Sequence, residues 1–134
     1  MLESSQLAGF SSLFWLYLFN AVLLIVHEID SAYWQEWKLF HLPGGQAGFL
    51  ILHLPLLSLV LYGLALVERG IFMGLVLSMA LGIAGIFAFS IHTIFILRGH
   101  AEFKNPLSLG ILLGTLVLSV IQMRLTVAAW RTPI

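Results

Sequence analysis

The sequence contains no cysteine and very little charge. The absence of cysteine excludes disulfides, thiolate metal sites and thiol catalysis. Only 9% of the 134 residues are Asp, Glu, Lys or Arg, whereas a soluble domain carries about 25%. So few charges cannot cover a water-facing surface. The net charge is zero and the sequence has no cluster of basic residues, so we expect no nucleic-acid partner.

Long apolar runs take the place of the missing charges. Four runs lack Asp, Glu, Lys and Arg, at residues 4–26, 39–67, 70–97 and 105–123. Each approaches or exceeds the ~20 residues that an α-helix needs to cross a bilayer. We therefore predict membrane-spanning helices at residues 10–30, 46–67, 71–98 and 106–130.

Short connections between these helices make consecutive helices antiparallel. The predicted fold is all-α, an integral membrane up-down-up-down four-helix bundle that forms a single membrane domain over residues 1–134. A short interfacial helix is expected after the first span, at residues 31–40, because this segment holds the aromatic residues typical of a membrane–water boundary. Gly99 is expected to terminate the third helix, and Asn105-Pro106 to begin the fourth.

Small residues predict close packing of the third and fourth helices. The third helix carries alanines at four-residue spacing and three glycines, and the fourth carries a pair of glycines four residues apart. These residues are Ala80, Ala84, Ala88, Gly74, Gly82, Gly85, Gly110 and Gly114.

Every histidine falls on the same side of the predicted bundle. We name the membrane face at which the first helix begins face A, and the opposite one face B. The helix directions place all five histidines and four of the six acids near face B. They are His27, His41, His53, His92 and His100, with Glu28, Asp30, Glu36 and Glu102. This convergence is the strongest functional signal in the sequence.

Helical phase indicates a shared site within the bundle. Asn20, His27 and Asp30 recur at seven- and three-residue steps, so they form one polar face of the first helix. Such a face turns toward the interior, because ionisable groups facing lipid tails are costly. His92 continues the alanine line of the third helix, and His53 lies at a matching depth in the second.

Imidazoles mixed with carboxylates favour a divalent metal such as zinc, iron or manganese. We predict His27, Asp30, His53 and His92 as its ligands, with one position open for water. The predicted catalytic residues are Glu28 and Glu36, as general bases or ligand partners, and Asn20 on the same polar face. The zinc motif His-Glu-x-x-His is absent, because residue 31 is serine.

Several functions fit this set of residues. The first is a metal-dependent or acid–base membrane enzyme, or a binder, that acts on a lipidic or apolar substrate; a metal-free site would catalyse isomerisation or cyclisation. The second is a haem b protein with His53 and His92 as axial ligands. The third is a non-catalytic subunit that packs through the small-residue faces of the third and fourth helices. Expected partners are membrane lipid and either a second copy or another membrane protein.

His27-x-x-Asp30, followed by Glu36-Trp37 and His53-x-Pro55, resembles the signature of small bacterial membrane proteins, the HXXEE-motif proteins. This chain has Asp30-Ser31 where that pattern has two acids. The resemblance implies a four-helix membrane fold and a location in the bacterial cytoplasmic membrane. It implies no activity.

Overall fold

The computed structural model describes residues 2–100, 102 and 104–131, with side chains from residue 11 onward. Within these residues the chain forms helices and no strand. The helices are α1 (Leu2–Tyr33), α2 (Glu36–Leu39), α3 (Gly45–Glu68), α4 (Phe72–Leu97) and α5 (Pro106–Arg131). Four of them, α1 over Ser11–Tyr33 and the whole of α3, α4 and α5, are long and apolar enough to cross a membrane. The predicted all-α fold with four spans is confirmed.

The four long helices form a ring in the order α1, α5, α4 and α3. Consecutive helices run in opposite directions because their connections are short. The apolar core includes Leu13 and Tyr17 of α1, Val67 of α3 and Leu81 of α4. Many large apolar side chains point outward, which suits a surface that faces lipid.

Local signals predicted some helix ends and missed others. The Asn105 side chain accepts a hydrogen bond from the Leu107 backbone N–H at 2.9 Å, so it caps α5 as expected. Gly99 has φ +95° after the end of α4, also as expected. By contrast, α1 starts before residue 10 and continues to Tyr33, and the interfacial helix shrinks to four residues. Residues 10–34 contain no Gly or Pro, so nothing ends α1 earlier.

The contact face of α4 is the glycine face and not the alanine line. Ala80 and Ala84 are exposed, so the expected packing along the alanines is wrong for them. The buried residues of this helix include Gly74, Gly82 and Gly85. Glycines allow the closest approach: a Cβ at position 82 would lie 2.5 Å from the Met123 side chain. The glycines of α4 therefore pack against the other helices of the same chain.

Gly74 provides a test of this packing. A Cβ at Gly74 would lie 2.6 Å from the backbone nitrogen of Val67 and 2.7 Å from the carbonyl carbon of Leu66, and neither atom can move alone. We expect Gly74→Ala to lower the free energy of unfolding by about 1–3 kcal/mol. The matched control is Gly110→Ala in α5, where a Cβ meets nothing within 4 Å, and where we expect no loss or a gain of up to about 1 kcal/mol. Equal effects in SDS-induced unfolding would contradict the packing described here.

A network of buried polar side chains joins α1, α4 and α5 through the interior. The Asn20 amide donates to Ser119 Oγ at 3.0 Å and to Gln122 Oε1 at 2.8 Å. The Gln122 amide in turn donates to the carbonyl oxygen and the hydroxyl of Ser78, at 2.9 and 3.0 Å. The Ser78 hydroxyl also contacts Thr126 Oγ1 at 2.8 Å. All five side chains are fully buried, so the network supplies the hydrogen bonds that lipid cannot.

Candidate metal centre near face B

Two histidines and one glutamate from three helices meet near face B. Each of His27, Glu36 and His92 offers one ligand atom, and the three atoms lie within 4.8 Å of one another. All three residues are buried. The His92 Nε2 atom lies 3.5 Å from Glu36 Oε1, and the rings of His27 and His92 meet edge to face with centroids 4.6 Å apart. Ligand atoms around a tetrahedral zinc ion are roughly 3.3 Å apart, given bonds of about 2.0–2.1 Å. Small side-chain movements would therefore bring this group to metal-binding geometry.

Glu36 reaches the group because the chain turns sharply after α1. Gln35 has φ +57° and ψ +47°, the left-handed conformation that L-residues avoid. This conformation turns the chain after α1, so that the four-residue helix α2 packs against α1 and α3. The glutamate at the first position of α2 is consequently buried, although it lies outside the membrane-spanning segments.

The environment keeps Glu36 ionised. Burial alone would raise the pKa of its carboxyl group. The neighbouring hydrogen-bond donors His92 and Ser31, together with the charges of His92 and His27, act in the opposite direction and lower the pKa below its ordinary value. The carboxylate is therefore available as an anionic ligand between two imidazoles.

A second pair, Glu28 with His53, lies beside this group. His53 Nε2 is 2.6 Å from Glu28 Oε2, and His53 Nδ1 is 2.7 Å from the Phe49 carbonyl oxygen. A carbonyl oxygen only accepts, so Nδ1 carries a hydrogen. The contact between Nε2 and Glu28 needs a second proton, which either group can hold. Glu28 also interacts electrostatically with Glu36 and His92, so the pair lies close enough to the three-residue group to influence its charge.

Aromatic rings attach α2 to the two helices beside it. The ring of Trp37 lies 5.5 Å from that of Phe49 in α3, and Phe49 lies 3.9 Å from the ring of His53. On the other side, the rings of Phe40 and Phe95 of α4 are 5.3 Å apart in an edge-to-face contact. These contacts shield the three-residue group on the side of α2.

Residues 13–129 match the model of a family of unknown function, DUF6713. The chain belongs to this family. The matched range includes the three-residue group, the Glu28–His53 pair and the buried polar network. The match does not show the resemblance to HXXEE-motif proteins. No curated protein and no solved structure matches the chain.

The structure of this DUF6713 protein brings together part of the predicted ligand set. His27 and His92 meet as expected, and the third member of the group is Glu36, which the sequence suggested as a base. His53 makes its close polar contacts to Glu28 and Phe49 and is outside the group. Asp30 interacts electrostatically with His27 but is also outside it.

The remaining predicted residues lie elsewhere in the protein. Asn20 is hydrogen bonded in the buried network, two helical turns before His27, which is a rise of about 10 Å. His100 Nδ1 lies 3.7 Å from Glu102 Oε2 in a partly exposed pair, and His41 is exposed.

No role was predicted from the sequence for Ser119, Gln122 and Thr126 of α5, which join Asn20 and Ser78 in the network. A signal for them exists. Buried polar residues recur along α5 at steps of seven, four, three and four, which marks one polar stripe on this helix. They are Ser108, Thr115, Ser119, Gln122 and Thr126.

Proposed function

We propose that this DUF6713 protein binds one divalent metal ion through His27, Glu36 and His92. The observation that carries the proposal is the meeting of three buried ligand atoms within 4.8 Å, supplied by α1, α2 and α4. Two histidines and one carboxylate are the ligand set of catalytic zinc sites and of non-haem iron sites, both of which keep positions open for water or substrate. Zinc, iron and manganese are the metals proposed.

Charge supports the proposal. Glu36 is a buried carboxylate, and among the described residues its ion-pair partner is a histidine and no lysine or arginine. A buried anion needs a counter-charge, and an imidazole supplies one only while it is protonated. A divalent cation bound by the same atoms would provide that charge and would also occupy the nitrogen atoms of both histidines.

The adjoining Glu28–His53 pair extends the proposal to catalysis. The pair is partly exposed, with 28% of the Glu28 side chain and 14% of the His53 side chain accessible. It could therefore hold a proton or pass it between the site and the outside, and a bound metal would supply a water of lowered pKa there. The reaction we propose is an acid–base or hydrolytic step on an apolar, membrane-dissolved substrate, in a bacterial cytoplasmic membrane. A metal-free acid–base site on the same residues is the alternative.

Contacts disfavour the other two candidates. His53 uses both ring nitrogens in short polar contacts, so it has no bare nitrogen for a haem iron opposite His92. The glycines of α4 pack against α3 and α5 within the chain, so they are not available to a partner subunit. Absorbance of the purified protein in the Soret region tests the haem candidate directly.

Elemental analysis tests the metal site. We expect protein purified without a nickel column to contain about one zinc, iron or manganese ion per chain, as expected for a preformed three-ligand site. The double variant His27→Ala/His92→Ala should lose the metal. The matched control His41→Ala/His100→Ala changes two histidines outside the group and should retain it. Metal far below one ion per chain in monodisperse wild-type protein, even after incubation with zinc, would contradict the proposal.

A further inference from the structure

The segment that carries Glu36 is bounded by unusual backbone. Gln35 has φ +57° and His41 has φ +52°, and within residues 34–45 Gly44 and Gly45 also have positive φ. No other non-glycine residue of the described chain has a positive φ. Left-handed conformations of such residues are unfavourable and persist only where surrounding contacts enforce them. The strained positions therefore coincide with the segment that completes the three-residue group.

This segment is a small folded unit attached to the bundle by side chains. From Lys38 to Gly45 its described backbone hydrogen bonds are internal, for example from Lys38 N–H to Gln35 O and from Leu42 N–H to Trp37 O, both at 2.9 Å. The N–H groups of Trp34 and Gln35 instead donate to the Asp30 and Ala32 carbonyl oxygens of α1. Its contacts to the spanning helices described above come from the side chains of Glu36, Trp37 and Phe40. Residues 36–43 can therefore separate from the bundle without breaking a spanning helix, with residues 34–35 and 44–45 as the two hinges.

We infer that residues 34–45, which we name the α2 flap, close over the site when the metal binds. This inference rests on the proposed function. His27 and His92 lie on long spanning helices and are fixed in place, so Glu36 is the one ligand whose position depends on the flap. A metal ion that binds all three ligands binds the closed form more tightly than an open form that offers two. The metal therefore shifts the flap toward the closed form and enters from the aqueous side of face B.

Limited trypsin digestion of the full-length protein in detergent tests the flap. Lys38 is exposed and is the first lysine or arginine of the chain, so cleavage in the flap releases the fragment 1–38, which mass spectrometry identifies. Cleavage of a native segment follows the population of its open form. We expect saturating zinc to slow cleavage after Lys38 by at least about tenfold. Arg69, in the connection at face A, is the internal control, and its cleavage rate should not change.

Glu36→Gln keeps the shape of the side chain and removes its charge. In this variant zinc should slow cleavage after Lys38 by less than about twofold. If the variant were misfolded, cleavage after Arg69 would also accelerate, and His92→Ala would then serve as the second variant with the same expected loss of protection.

The outcomes separate the two proposals. Zinc bound at one ion per chain with unchanged cleavage after Lys38 would overturn the flap and leave the metal site intact. Resistance of Lys38 to trypsin without metal would also overturn the flap, because the segment would be closed regardless of the metal. Absence of zinc binding by the wild-type protein would overturn both.

Discussion

We expect Glu36→Gln to lower the zinc affinity of the purified protein by more than about 100-fold, and Asp30→Asn to lower it by less than about tenfold. Both substitutions replace a carboxylate with an amide of the same shape, on residues six positions apart. Loss of an outer hydrogen-bond partner of a metal ligand already costs about 10–100-fold in affinity, so loss of a ligand exceeds that range. Glu36 belongs to the three-residue group, whereas Asp30 interacts with His27 only electrostatically.

The histidines give a second matched comparison. His92→Ala removes a proposed ligand whose side chain is 1% exposed and lies 3.5 Å from Glu36. His53→Ala removes a residue whose contacts are to Glu28 and Phe49. Competition with a chromophoric chelator measures all four affinities. A larger loss for His53→Ala than for His92→Ala would favour the ligand set predicted from sequence over the set proposed from the structure.

The difference between these two ligand sets shows what helical periodicity can predict. Depth in the membrane follows from residue number, because each residue of a helix adds about 1.5 Å. Depth alone placed His27, His53 and His92 at one level. The direction of a side chain around the helix axis depends on how the helix is rotated in the bundle. Glu28 lies within reach of His53 and bonds it, and no single-helix pattern contains that information.

Glu36 was predicted near the correct face, but its place beside His27 and His92 was not predicted. Its position depends on the left-handed conformation of Gln35, and glutamine is not a residue that signals this conformation. The expected continuous interfacial helix over residues 31–40 would have pointed the glutamate elsewhere. The membrane-spanning helices, by contrast, were predictable. A run of ~20 residues without charge is the length and composition that a helix needs to cross a bilayer.

The choice between two lines of small residues on α4 also lay beyond the sequence. Ala80 and Ala84 are four residues apart and Gly74 and Gly82 are eight apart, so each pair lies on one face of the helix. Close packing selects the glycine face, since the backbones approach to distances that leave no room for a methyl group. The alanines then face outward. A pattern of small residues thus predicted that α4 packs closely without showing on which side.

The buried polar network predicts a large loss of stability for Gln122→Leu. The side chain makes three hydrogen bonds, one with Asn20 and two with Ser78. Hydrogen bonds between membrane helices contribute about 0.6 kcal/mol on average and up to about 1.7 kcal/mol, so we expect the free energy of unfolding to fall by about 2–4 kcal/mol. Leucine has a similar volume, and the loss therefore reports on the hydrogen bonds. SDS-induced unfolding in mixed micelles measures it.

Two serines of α4 supply the control for this network. Ser78→Ala removes the contacts to Gln122 and Thr126, and we expect a loss of about 1–2 kcal/mol. Ser90 is exposed and donates only to the Ile86 carbonyl oxygen of its own helix among its described contacts, so Ser90→Ala should change stability by less than about 0.5 kcal/mol. Equal losses for the two serines would show that the network contributes no stability of its own.

Variants of Asn20 distinguish a structural role in the network from the catalytic role predicted from the sequence. If Asn20 acts through the network, Asn20→Leu and Gln122→Leu remove the same hydrogen bond. The loss of unfolding free energy in the double variant should then be smaller than the sum of the two single losses, by about 0.5–1.7 kcal/mol. Metal affinity should be unchanged within about threefold in all three variants, because Asn20 lies about two helical turns from His27. Additive losses of stability, combined with a change in metal affinity for Asn20→Leu alone, would instead assign Asn20 to the site.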